Sequence, residues 1–153
     1  MIKLNFDSGI REYKINGNGV LRFNPSDPNL YNRFLAAGEK IQAVEEKLIG
    51  QGRELNGKFE DNQGELILQI LADADKEVKQ ILTGVFGKEN DFDQILNGVN
   101  LLAVGSNGER VITNLLSALL PVFQDGIEDY VKQTSNAAVQ QAQLNRAQRR
   151  ARK

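Results

Sequence analysis

Carboxylates are the residues in this chain whose spacing suits chemistry. Glu89, Asp91 and Asp93 lie close together, and paired acids of this kind perform general acid/base steps or hold a metal ion. The segment they open, Asp91-Phe92-Asp93-Gln94-Ile95-Leu96, reads as a short helix stopped by Asn97-Gly98. Carboxylates at a helix N-terminus satisfy its free N–H groups and its dipole, so capping is the expected role. Asp73-Ala74-Asp75 begins like a calcium loop but lacks the Gly and the closing Glu of one, and it falls inside a helical period.

Two glycine clusters stand where a phosphate loop could begin. Gly17-Asn18-Gly19 has a Gly before its Asn and a Gly after it, while Gly105-Ser106-Asn107-Gly108 stands ahead of an apolar run. Both are too short for a Walker loop and lack its lysine and hydroxyl. The second leaves room for an anion at a helix N-terminus, with Arg110 as the nearby cation.

The chain has no Cys and no His. That removes disulfides, thiol nucleophiles, Cys/His zinc sites, imidazole bases and Ser-His-Asp triads. The expectation is a protein that is not an enzyme and carries no cofactor and no metal.

Charge is balanced in total but not in place. Arg146, Arg149, Arg150, Arg152 and Lys153 are five of the 19 basic residues. Everything before Arg146 keeps fourteen basic residues against 20 acidic ones, a net of −6. These five residues are the candidate partner-binding site, because a basic, Ala/Gln-rich end suits a nucleic acid, an acidic protein surface or simply solubility. The acidic body lacks an aromatic-basic face, which argues against specific nucleic-acid recognition.

The positioning elements follow from periodicity. Residues 2–6 and 10–15 alternate apolar and polar around the turn Asp7-Ser8-Gly9, and 20–23 follow the turn at Asn16 to Gly19. The pattern predicts a three-stranded meander whose apolar face, Ile2, Leu4 and Phe6 with Ile10 or Tyr13, lies on the helices. Asp27-Pro28 is a helix entrance. Leu30, Phe34, Ala37, Ile41, Val44 and Leu48 then form a heptad seam about 27 Å long, expected to pack within the chain. Gly50-Gln51-Gly52 should end this helix near Ile49, and 53–62 reads as a polar, mobile connection. A second amphipathic helix runs from about Gln63 to Gly87, with Asp73, Asp75, Lys76, Glu77 and Lys79 on its polar face.

The most apolar run, Asn107 to Gln133, is the central helix. Asn107 reads as its cap and Glu109 as an acid of its first turn, and Pro121 predicts a bend. Leu115, Leu116, Leu119 and Phe123 are the expected core centre. Too many polar residues interrupt the run for a membrane span, and no secretory signal is visible at the N-terminus. The site of action is expected in the cytoplasm, without a membrane partner.

Together these elements predict an α+β, mainly α fold. Residues 1–133 form one globular domain, with a small antiparallel β meander (1–24) packed on a bundle of three main helices (25–133). A basic segment, 134–153, is helical or frayed and projects from it.

The order of these features resembles a known family. Asn24 to Leu35 (NPSDPNLYNRFL), Phe92 to Phe123 (FDQILNGVNLLAVGSNGERVITNLLSALLPVF) and the NRAQRRARK end are similar to the small tail assembly chaperones of long-tailed (siphovirus-type) phages and prophages of Gram-positive bacteria. The resemblance covers most of the chain. It implies a non-enzymatic helper in the host cytoplasm, absent from the mature virion, that binds the tape measure protein and helps recruit tail tube subunits. In that family a longer, frameshifted product often adds a tape-measure-binding segment, which would make this chain the short form. Self-association, through the β element or the basic segment, is a further expectation. The competing reading is a small nucleic-acid-associated regulator using a helix-turn-helix-like helix pair around Pro121 and the basic tail. That reading needs a positive recognition helix, whereas Asn107 to Gln133 carries more acids than bases.

Overall fold

The computed structural model describes residues 1–55 and 63–152. The expected mobile connection falls mostly on 56–62 and Lys153 on the last position, both outside the described residues. The fold is α+β and mainly α, an N-terminal antiparallel hairpin followed by helices.

β1 (Arg11–Ile15) pairs antiparallel with β2 (Gly19–Phe23), Tyr13 standing opposite Leu21. The third expected strand, 20–23, is present as β2, and the first, 2–6, is absent. Residues 2–6 make no strand, and Ile2, Leu4, Phe6 and Ile10 are exposed, so the meander is a two-stranded hairpin. The physical cause lies in Asp7-Ser8-Gly9, which does not reverse the chain along β1. Asp7 instead accepts the Gly9 N–H at 2.8 Å, and the Ser8 carbonyl accepts the Asn24 side-chain amide at 3.1 Å. The inward row of the hairpin is supplied by Tyr13, Ile15, Leu21 and Phe23.

α1 (Pro28–Leu55) begins as its entrance predicts, with Asp27 Oδ1 accepting the Asn29 N–H at 3.0 Å. Its seam is intramolecular: Leu30, Phe34, Ala37, Ile41 and Val44 are buried and Leu48 partly so. The helix does not stop at Ile49 but runs through Gly50-Gln51-Gly52. A glycine costs a helix interior only about 1 kcal/mol, so two of them weaken the last turns without ending them. α2 (Gln63–Phe86) packs against α1, burying Ala74, Val78, Leu82, Val85 and Phe86.

α3 (Phe92–Ile95) is the short helix expected there, and Asp91 is its N-cap, accepting the Asp93 and Gln94 N–H groups. Capping is what the middle acid of the candidate trio does.

α4 (Val111–Ala151) starts later than Asn107 and leaves Glu109 outside its first turn. Arg110 is the N-cap and makes no side-chain cap. Asn107 instead accepts the Glu109 N–H and the Asn114 side-chain amide, closing the preceding loop. The first helical donors are taken by carbonyls of that loop, Val111 N–H by Ala103 and Ile112 N–H by Leu101, both at 2.8 Å.

The helix continues unbroken through Pro121. Pro121 and Ser117, whose carbonyl loses its usual i+4 donor, are both exposed, so water can solvate that carbonyl and the helix need not end. The region therefore holds one helix and not two joined by a turn.

Phe123 is the hub of the core. Its ring centroid lies 4.5 Å from Phe34, 5.3 Å from Phe23 and 5.8 Å from Tyr31, joining α4 to α1 and to the hairpin. Leu119 is buried beside it, while Leu115 and Leu116 are only partly buried. The centre expected at four residues thus sits at Leu119 and Phe123, with the other two at its margin. Two glycines permit the closest backbone approaches. A Cβ on Gly126 would stand 2.1 Å from the Pro25 carbonyl oxygen, and one on Gly19 would stand 2.3 Å from the Ile95 Cα.

Candidate functional site

Three surfaces are assembled by this fold. The first is polar, between α2 and α3, where Lys79 lies in a cleft of about 370 Å³. Lys79 Nζ is 2.7 Å from Asp75 Oδ2 and 2.6 Å from Asp93 Oδ1. The helical i, i+4 spacing brings Asp75 to Lys79, and the α3 cap delivers Asp93. The sequence placed Asp75 and Lys79 on a solvated face, yet their side chains are only 15% and 9% exposed. Periodicity gives the Asp75–Lys79 spacing but neither its burial nor the contact with Asp93, because α3 covers a polar stripe of α2.

Asp75 has a second duty, since its Oδ1 accepts the Leu101 N–H at 2.7 Å. Asp73 points elsewhere and accepts from Gln69, so the two acids of Asp73-Ala74-Asp75 do not converge. Burial is the largest influence on Lys79 and lowers its pKa. The hydrogen bonds and charges of Asp75 and Asp93 outweigh it and hold the ammonium above its ordinary 10.5. A lysine so held stays protonated at neutral pH and is a poor base or nucleophile. The cluster pins α2, α3 and the 100–102 turn together.

Asn90 is a second buried polar residue that the sequence did not reveal. Its Oδ1 accepts the Arg22 N–H at 2.9 Å, and its Nδ2 donates to the Arg22 carbonyl at 2.9 Å and to the Phe86 carbonyl at 3.0 Å. It splices β2 to the end of α2.

The second surface is an apolar groove of about 420 Å³ between the hairpin and α4, lined by Tyr13, Ile15, Leu96, Leu115, Leu119 and Val122. Leu115, expected at the core centre, forms part of its wall.

The third surface is α4 beyond the core. From Glu128 to Ala151 every residue is exposed, about 36 Å of helix at 1.5 Å per residue. Arg146, Arg149 and Arg150 share a face of its last turns by i, i+3, i+4 spacing, and Arg152 is the C-cap.

The loop at Gly105 to Gly108 is not an anion cradle. Gly105 N–H donates to the Glu109 carbonyl at 2.7 Å and Gly108 N–H to the Gly105 carbonyl at 3.0 Å, so those donors are taken. Among the described residues no group of three His, Cys, Asp or Glu is placed to hold a metal ion. No helix among them is long and apolar enough to cross a membrane.

No protein-family model matches the chain, and neither curated proteins nor solved structures give a significant match.

Proposed function

We propose that this chain is a non-enzymatic tail assembly chaperone of a long-tailed phage or prophage of Gram-positive bacteria. It acts in the host cytoplasm, is absent from the mature virion, binds the tape measure protein and helps recruit tail tube subunits. The observation that carries the reading is the exposed part of α4, Glu128 to Ala151. A helix that leaves its core and ends in arginines offers an extended surface to a long helical partner. The acidic body and the basic Arg146, Arg149, Arg150, Arg152 and Lys153 end separate two kinds of contact along one chain. The motif resemblance in Asn24 to Leu35 and Phe92 to Phe123 points the same way.

Co-expression with the tape measure protein of the same genome tests it. The tape measure protein should stay soluble and co-purify with this chain, and the yield should fall when residues 146–153 are removed. A tape measure protein equally insoluble with and without the chain would overturn the reading. The same reading expects a tail tube gene upstream and a gene for a very long coiled coil downstream.

A further inference from the structure

The hairpin has one closed edge and one open edge. On β2 the Arg22 N–H and carbonyl are turned outward to Asn90, at 2.9 Å each, and beside them Gly19 packs closely on the Ile95 backbone of α3, so that edge is covered. Antiparallel ladders alternate, and a residue whose backbone groups point outward stands opposite one whose groups do the same. Glu12 is the partner of Arg22, and Lys14 that of Val20. The N–H and carbonyl groups of Glu12 and Lys14 therefore face the outer side of β1, where they find no partner among the described residues. The apolar groove of Tyr13, Ile15, Leu115 and Leu119 lies along the same strand.

The chain also carries an unpaired segment with the residue pattern of a strand. Residues 2–6 alternate, and Ile2, Leu4 and Phe6 are 96%, 86% and 80% exposed. We propose that this arm adds to the open edge of β1 in a second copy of the protein. Side by side in parallel, Lys3 stands next to Glu12, Asn5 next to Lys14, and Leu4 and Phe6 next to Tyr13 and Ile15. The outward row then sets the opposite charges of Lys3 and Glu12 beside each other and neutral Asn5 beside Lys14, and the inward row extends the apolar wall of the groove.

The arm cannot reach that place in its own molecule. Parallel neighbours need a crossover of a dozen or more residues, whereas the arm runs directly into β1. An antiparallel return would need a reversal at 7–9. There Gly9, at φ +75, is packed on Asn24, and the Ser8 carbonyl is bound by the Asn24 amide at 3.1 Å. That clip fastens the base of the arm beside the residue that follows β2, across the hairpin from the open edge. The proposal goes beyond the chaperone reading and stands without it, because it concerns only two copies of this chain.

Sedimentation velocity of the full chain over a range of concentrations tests it, beside the double variant Leu4→Asp/Phe6→Asp and the edge variant Glu12→Pro. The wild type should associate as concentration rises. The arm variant, altered only where side chains are exposed, should remain monomeric. Glu12→Pro removes an outward donor, as edge strands tolerate, and should also remain monomeric while a copy of it still donates its arm to wild type. Because the protein has no cysteine, a Lys3→Cys copy mixed with a Glu12→Cys copy should give a mixed disulfide dimer. A wild type monomeric at every concentration, association undiminished by the arm variant, or no mixed disulfide would each overturn the proposal.

Discussion

Lys79 Nζ lies 2.6 Å from Asp93 Oδ1, across the join between α2 and α3. The ammonium is shared with Asp75, whose other oxygen holds the Leu101 N–H. Replacing Lys79 by Ala leaves Asp75 largely buried and without its cation, which should cost about 2–3 kcal/mol. Asp93→Asn removes a partner whose side chain is 72% exposed and should cost less than about 1 kcal/mol. Urea titration of both variants reads the difference, and equal losses would contradict it.

The same cluster sets a pH dependence. The folded pKa of Lys79 is raised above its ordinary 10.5, so the folded state holds the proton more tightly than the unfolded chain. Its contribution is fully present below the ordinary lysine value and is lost as pH rises through the folded one. Wild-type stability should fall in that alkaline window, and Lys79→Met should show a shallower fall there in thermal melts.

Gly126 faces the Pro25 carbonyl so closely that a Cβ would stand 2.1 Å from its oxygen. Gly126→Ala must push α4 away from the residues leading into α1. Calorimetry should record a loss of about 1–3 kcal/mol. Gly38→Ala, where a Cβ meets nothing within 4 Å, should be neutral or slightly stabilising.

Leu119 is buried, whereas Leu116 is partly buried. Leu119→Ala should lose about 2–5 kcal/mol through transfer and cavity terms, and Leu116→Ala should lose clearly less. Identical melting shifts would place both at the same depth.

Periodicity made much of the fold legible. The α1 seam from Leu30 to Val44 is buried as its heptad spacing demands, and Asp27 and Asp91 accept the first N–H groups of their helices. Errors arose where a tertiary contact overrode a local signal. Asp7-Ser8-Gly9 is turn chemistry, but Asn24, fifteen residues beyond Gly9, binds the Ser8 carbonyl and leaves residues 2–6 unpaired. Asn107 is a good cap residue, but the Ala103 and Leu101 carbonyls take the helical donors, and α4 starts later. Lys79 and Asp75 lie on the polar side of α2, and only the placement of α3 makes them a buried pair. The basic end was visible from composition alone, since Arg146, Arg149, Arg150 and Arg152 are all exposed.

Arg146, Arg149 and Arg150 stand on the last exposed turns of α4. A chain ending at Asn145 should melt at the same temperature as the full one, because these residues support no packing. Any binding to DNA by the full chain should weaken steeply with salt and vanish in the truncated form. Salt-resistant, sequence-specific binding by the truncated chain would favour the regulator reading instead.

The most direct measurement is sedimentation of the full chain with the tape measure and tail tube proteins of the same genome. The chaperone account predicts that the tape measure protein draws this chain into a larger complex, and that tail tube subunits join only when the chain is present. A chain that sediments at its own rate beside both proteins would contradict it.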